Sequence, residues 1–159
     1  MVNCRIGNLE VQLREATLED RGFVYELMHS SLAKCFDKFT QEKWSRRKFR
    51  QGYKPNRITI VEHEGMPIGF YDIEIVGSDV YVHNFHLSKD YRNGFGIQLM
   101  QYLDDKLRGM GLSYSKAKIF NNSKMILVLK RLFKYIEEQH VPEENSTIMI
   151  KNGTKIEIL

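Results

Sequence analysis

One stretch constrains this chain more than any other: Asp90-Tyr91-Arg92-Asn93-Gly94-Phe95-Gly96-Ile97. An apolar run ending at Phe85 and Leu87 precedes it, and Ile97, Met100, Leu103 and Leu107 follow at helical spacing. A strand therefore runs into a glycine loop, and the loop into a helix. The first turn of a helix has amide hydrogens without intrahelical partners, and they lie at the positive end of its dipole. Such a turn holds phosphate. Gly94 and Gly96 let the backbone approach an anion closely, and Arg92 adds a fixed positive charge. The alternative is an ordinary Asn-Gly turn ahead of a helix. No Lys-Ser or Lys-Thr pair follows the glycines, so the nucleotide-triphosphate loop is absent. The third glycine of the dinucleotide fingerprint is absent as well.

The rest of the chain reads as short strands and helices. Val11–Arg14 alternates as an opening strand, and Thr17 with Asp20 marks a helix start. Thr40 is a second cap, with Phe39 and Trp44 as a staple around it, for a helix from Gln41 to about Gln51. Arg57–Glu62 and Ile68–Val76 form a hairpin across Glu64-Gly65-Met66-Pro67, and Val80–Leu87 is the next strand. A central helix runs to about Arg108, then a strand from Leu112 to Ile119. Asn121-Asn122-Ser123 caps a helix striped by Met125, Ile126, Leu129, Leu132 and Phe133. An acidic loop from Glu137 to Asn145 precedes a strand at Thr147–Ile150, and Asn152-Gly153 signals a closing hairpin.

The glycine loop resembles the pyrophosphate loop of the GCN5-related N-acetyltransferases, the GNAT superfamily. That loop reads Arg or Gln, two residues, Gly, any residue, then Gly or Ala. Here one residue fewer separates Arg92 from Gly94, so either Arg92 or Tyr91 takes the first position, and Lys89 stands where the family has Pro. Arg14-Glu15-Ala16-Thr17-Leu18-Glu19-Asp20 resembles the opening of many GNAT chains, and the order of hairpin, strand, glycine loop and helix is similar to the GNAT centre.

The resemblance implies an α/β (α+β) GNAT fold: a mixed, mostly antiparallel twisted sheet of six to eight strands flanked by about four helices. It implies one domain over residues 1–159 and an acetyl-CoA-dependent N-acetyltransferase that moves an acetyl group to a primary amine. The expected coenzyme contacts are Phe85, His86 and Leu87 at the strand end, Arg92, Asn93, Gly94, Phe95, Gly96 and Ile97 in the loop, and Asn121 or Asn122 on the pantetheine arm. Side chains alternate along a strand, so Tyr81, His83, Phe85 and Leu87 are expected on one face. His83, with Tyr81 beside it, is the catalytic candidate, because an imidazole accepts protons near neutrality. Asp72 and Glu74 are rival carboxylates, and His86 lies on the other face. Aligned through Asn121 and Phe133, Val128 stands where the family has the Tyr that protonates the leaving thiolate, and Leu132 where it has Gly. Tyr114, Tyr135 or water is then the acid.

Charge adds one feature. The net +4 is uneven: Lys34 to Arg57 holds nine Lys or Arg against two acids, a local +7, which leaves −3 elsewhere. That segment is either a solvated helix face or a surface for an acidic or nucleic-acid partner. Cys4 and Cys35 make no metal-ligand spacing, and no metal is expected. No apolar run reaches the roughly 20 residues that cross a bilayer, and the N-terminus lacks a signal-peptide core. A cytoplasmic monomer or homodimer with no membrane partner is the expectation. Two other readings stay open: a GNAT-fold binding protein without turnover, and a nucleic-acid binder acting through residues 34–57.

Overall fold

The computed structural model describes residues 1–39, 45–92, 94–112, 114–121 and 123–152. Its strands are β1 (Val2–Ile6), β2 (Leu9–Glu15), β3 (Ile58–His63), β4 (Met66–Val76), β5 (Asp79–Leu87), β6 (Tyr114–Phe120), β7 (Ile136–Val141) and β8 (Ser146–Asn152). Its helices are α1 (Arg21–Phe39), α2 (Arg46–Gly52), α3 (Phe95–Gly109) and α4 (Met125–Phe133). The strands make one sheet in the order β1-β2-β3-β4-β5-β6-β8-β7. Every neighbouring pair is antiparallel except β5 with β6, which is parallel. A parallel pair requires a crossover, and α3 is that crossover.

Alternation along the strands feeds two faces. On one, Val11, Leu13, Val61, Tyr71 and Leu87 pack against Phe95, Leu99 and Leu103 of α3. On the other, Ile58, Ile60 and Phe70 pack against Val24 and Leu27 of α1. Neighbours in sequence such as Ile60 and Val61, or Phe70 and Tyr71, thus serve opposite cores. Leu129 and Phe133 of α4 close on Met149 of β8, with Ile97 and Met100 of α3 against them. The sharp hairpin between β3 and β4 needs two residues at positive φ, and Glu64 (50°) and Gly65 (77°) supply them.

Local chemistry explains the start of α1. Thr17 and Asp20 form a reciprocal capping box over a single 3-10 turn that leads into the helix. Arg14 binds Asp20 at 2.8 and 2.9 Å and Glu62 at 2.8 Å, and the guanidinium holds the Asp20 carboxyl below its ordinary range.

Several expectations shift. β1 was not anticipated, because Val2–Ile6 alternates weakly and becomes a strand only by pairing with β2. Residues Glu137–Val141, read as the front of an acidic loop, are strand β7, whose acids face water at the sheet edge. α2 is capped by Ser45, whose hydroxyl accepts from the Lys48 amide. Thr40 and Trp44 lie outside the described residues, as does the hairpin expected at Asn152-Gly153 beyond its first residue. Among the described residues, no helix is long and apolar enough to cross a membrane.

Candidate active site

The site grows from the way β5 parts from β6. Their pairing covers only Asp79–Val82 against Tyr114–Ala117. Beyond Val82, β5 continues to Leu87 alongside β4 alone, and β6 continues to Phe120 alongside β8 alone. The strands therefore splay, and a cleft of about 1450 Å³ opens between them. That exceeds the roughly 300–1,000 Å³ of an ordinary small-ligand pocket, so the space suits a long ligand.

The free edge of β5 carries backbone groups into this cleft. Ser88 N–H donates to Ile68 O at 2.8 Å, so in the antiparallel alternation His86 also turns its amide and carbonyl toward β4. Phe85 and Leu87 then turn theirs toward the splayed side. Of the three strand-end residues, Phe85 offers its amide and carbonyl and Leu87 its amide to a ligand, the Leu87 carbonyl accepting from Arg92, and His86 offers only its side chain.

The glycine loop follows. Gly94 sits at φ +83° and ψ −23° as the N-cap of α3, a left-handed conformation that a residue without Cβ adopts freely. Among the described residues, the first amide of the helix to find a carbonyl is Gln98, which donates to Gly94 O at 3.3 Å. Phe95, Gly96 and Ile97 therefore point their N–H groups out of the helix start, at the positive end of its dipole. The Gly94 amide is spent on Arg92 O at 3.0 Å. A Cβ on Gly96 would lie 3.2 Å from Leu87 Cδ1, so the helix start rests directly on the strand end. Arg92 Nε donates to Leu87 O at 3.0 Å and Nη2 to Ser31 Oγ at 3.4 Å. Asn93 and Asn122 lie outside the described residues.

Along the middle of β5 the expected alternation fails. Asp72 pairs with Asn84 but Ile73 with Val82, so β5 carries one extra residue, a β-bulge at His83. Phe85 stays with Leu87 in the α3-side cluster. Tyr81 instead lies opposite Glu74, and His83 Nε2 reaches Glu74 Oε1 at 3.2 Å. The bulge thus moves Tyr81 and His83 to the α1 side of the sheet, with Asp72 and Glu74. His83 lines the cleft, while Tyr81 stands outside its wall. Glu74, one of the two rival carboxylates, is engaged on its other side too: Arg57 Nη1 lies 3.8 Å from it. Arg57 itself grips the buried Asp72 through Nε at 2.5 Å and Nη2 at 2.9 Å.

His86 lies beside this group. Its Nε2 is 3.3 Å from Asn84 Oδ1, and its ring is 5.4 Å from that of Phe70. Burial pushes its pKa down to about 4, and the nearby Arg92 charge adds to the effect. The imidazole is neutral at pH 7.

On the far wall, the Asn121 side chain is committed elsewhere. Its Nδ2 donates to Asn145 Oδ1 at 3.1 Å and its Oδ1 accepts from Thr147 Oγ1 at 2.5 Å. Ser123, not Asn121, lines the cleft near the start of α4, along with Val128. Tyr135 also lines it. Its hydroxyl is 2.6 Å from Ser115 Oγ, and burial raises its pKa. The basic segment is partly engaged: Arg46 lies 3.3 Å from Glu26 and 4.3 Å above the Tyr25 ring. Residues 40–44 and the side chains of 34–39 lie outside the described part. Among the described residues no group of three or more His, Cys, Asp or Glu could hold a metal.

A splayed strand pair beside a helix that starts on glycine can be tested against known families. The model of the acetyltransferase (GNAT) family matches residues 24–135. The chain belongs to that family. The GNAT fold is equally evident in solved structures. Ard1 from Thermoplasma volcanium superposes with a TM-score of 0.68 at 13% identity, over 91% of this chain and 99% of that one. The ribosomal-protein-S18-alanine N-acetyltransferase from Escherichia coli gives 0.67 at 16% identity, over 94% and 98%. The PaiA N-acetyltransferase from Thermoplasma acidophilum, solved with coenzyme A, gives 0.67 at 13% identity, over 89% and 98%. No curated protein matches the sequence. At such identities the structures speak for the GNAT fold and not for an acceptor.

Proposed function

We propose that this GNAT protein transfers the acetyl group of acetyl-CoA to a primary amine by direct attack on the thioester. One observation carries the reading: three outward amides, Phe95, Gly96 and Ile97, sit at the head of a cleft whose adjoining strand edge is open. The amides and the α3 dipole hold the diphosphate of the coenzyme. The β5 edge at Phe85 and the Leu87 amide pairs with its extended arm, as an added strand would, and one N–H there polarises the thioester carbonyl. Bound acetyl-CoA supplies the acyl group in activated form.

His83 takes the proton that the acceptor ammonium must lose before it can attack. The departing thiolate is a stable anion near its ordinary pKa of about 8.5 and needs only a weak acid, either Tyr135 or water. The acceptor in our reading is a primary amine, and the panel below decides its class.

Two measurements test the proposal: calorimetric binding of acetyl-CoA, and free-thiol release with a panel of amino acids, Ala-led peptides and polyamines. Binding together with thiol release dependent on a primary amine supports it. Val128 at the position of the family's acid motivates a second reading, a binding protein without turnover. Tight binding with no thiol release across the panel would favour that one. Absence of binding would defeat both.

A further inference from the structure

We propose that Glu74 is the positioning residue for His83, holding its Nε2–H so that the proton-accepting lone pair is on Nδ1. The inference rests on His83 as the base, and it concerns a contact that no motif in the sequence announces.

In a regular ladder His83 would share a face with Phe85 and point into the α3-side core. The extra residue in β5 turns it to the other side, within 3.2 Å of Glu74 Oε1 on the neighbouring strand. An ionised carboxylate only accepts hydrogen bonds. The ring nitrogen facing it must therefore carry the hydrogen. A neutral imidazole has one N–H, so the bare nitrogen is Nδ1.

Arg57 does not compete strongly for this carboxylate. Its Nε and Nη2 are committed to both oxygens of Asp72, and only Nη1 faces Glu74, at 3.8 Å through the other oxygen, Oε2. Asp72 thus balances Arg57, and Arg57 steadies Glu74 from the side away from His83. The four residues form a row on one face, from the buried Asp72 outward to His83 in the cleft wall. Glu74 and His83 side chains are 41% and 38% exposed, so their contact orients a ring and adds little to the fold. Carboxylates that orient metal-binding imidazoles typically change affinity or activity by about 10- to 100-fold when removed, and an effect of that size is expected here.

The test is nitrogen-15 NMR of the His83 ring in the whole protein at a pH where it is neutral, assigned by loss of the signals in His83→Gln. The wild type is expected to show one tautomer, with Nε2 protonated. Glu74→Ala moves both nitrogens toward the averaged shifts of free imidazole, and Glu74→Gln, whose amide oxygen still accepts, keeps them in place. In parallel, Glu74→Ala lowers kcat about 10- to 100-fold with KM for acetyl-CoA unchanged, and Glu74→Gln recovers most of that loss. A wild-type ring protonated on Nδ1, or identical shifts in wild type and Glu74→Ala, overturns the proposal. The NMR result does not depend on turnover, so a protein that held the tautomer yet released no thiol would defeat the transferase reading and leave this one intact.

Discussion

The two halves of the cleft are built on different principles. At the proposed coenzyme end the groups offered to a ligand are backbone: the amides of Phe95, Gly96 and Ile97, and the edge of β5 at Phe85 and Leu87. At the proposed acceptor end it is a side chain, His83, with Glu74, Arg57 and Asp72 linked behind it from strand to strand. Backbone groups have no identity to mutate, and only backbone shape can change them. Side-chain groups can be removed one at a time. The comparison predicts that the proposed coenzyme end tolerates most substitutions that spare its glycines, whereas the proposed acceptor end fails with single residues.

The sharpest way to break that contrast is at His83. With His83→Gln, kcat is expected to fall by about 10²- to 10⁴-fold, the usual worth of a positioned base. Acetyl-CoA affinity by calorimetry should not change. Should affinity fall in step with kcat, the two halves would not be separable in the way described.

His86 tests the seam between them, because its side chain belongs to the acceptor side while the charge of Arg92 reaches it from the loop. Its folded pKa of about 4 lies below the 6.5 of an exposed imidazole. The unfolded chain therefore binds the proton first as pH falls. The contribution is complete above pH 6.5 and is lost as pH falls from there toward 4, about 3 kcal/mol in all. Urea unfolding at pH 7 and pH 4 should show the wild type losing that much more stability than His86→Gln. Equal losses would mean that water reaches the ring.

Gly94 probes the backbone end. No atom lies within 4 Å of the place its Cβ would take, so the strain of Gly94→Ala is purely conformational, at φ +83°. Left-handed backbone costs a residue with a Cβ about 1–2 kcal/mol. We expect acetyl-CoA to bind about tenfold more weakly, with kcat at saturation preserved. A loss of kcat at full saturation would show that the loop also sets the geometry of the reacting end.

The same division explains what could be read in the chain. Gly94, Gly96 and the helical stripe from Ile97 to Leu107 disclosed the strand, loop and helix, because each of those features is a local backbone requirement. The hairpin at Glu64-Gly65 and the capping box of Thr17 and Asp20 were legible for the same reason. The bulge at His83 was not. Nothing between Asp79 and Leu87 marks an extra residue, since a bulge is a property of two paired strands. Strict alternation therefore sent His83 to the wrong face and hid its tie to Glu74. β1 and β7 were missed on similar grounds: both are edge strands defined by one partner each. Asn121 looked free to meet a ligand until the return of β8 supplied Asn145 and Thr147.

Arg92 gives the smallest effect and the finest distinction. Its charge beside a glycine loop reads as a phosphate contact. In the fold, Nε is bound to Leu87 O and Nη2 leans on Ser31 of α1, so the guanidinium braces the strand end against the helix wall. A brace and a phosphate ligand make different predictions. If Arg92 is a brace, Arg92→Ala weakens acetyl-CoA binding only about threefold, under 1 kcal/mol. The loss would be nearly independent of salt, because no charge on the coenzyme is left unmatched. If the side chain swings to the diphosphate on binding, the loss grows to tenfold or more and shrinks as salt is raised. Titrating wild type and variant at low and high ionic strength separates the two, and the first outcome leaves the backbone amides as the coenzyme's main hold.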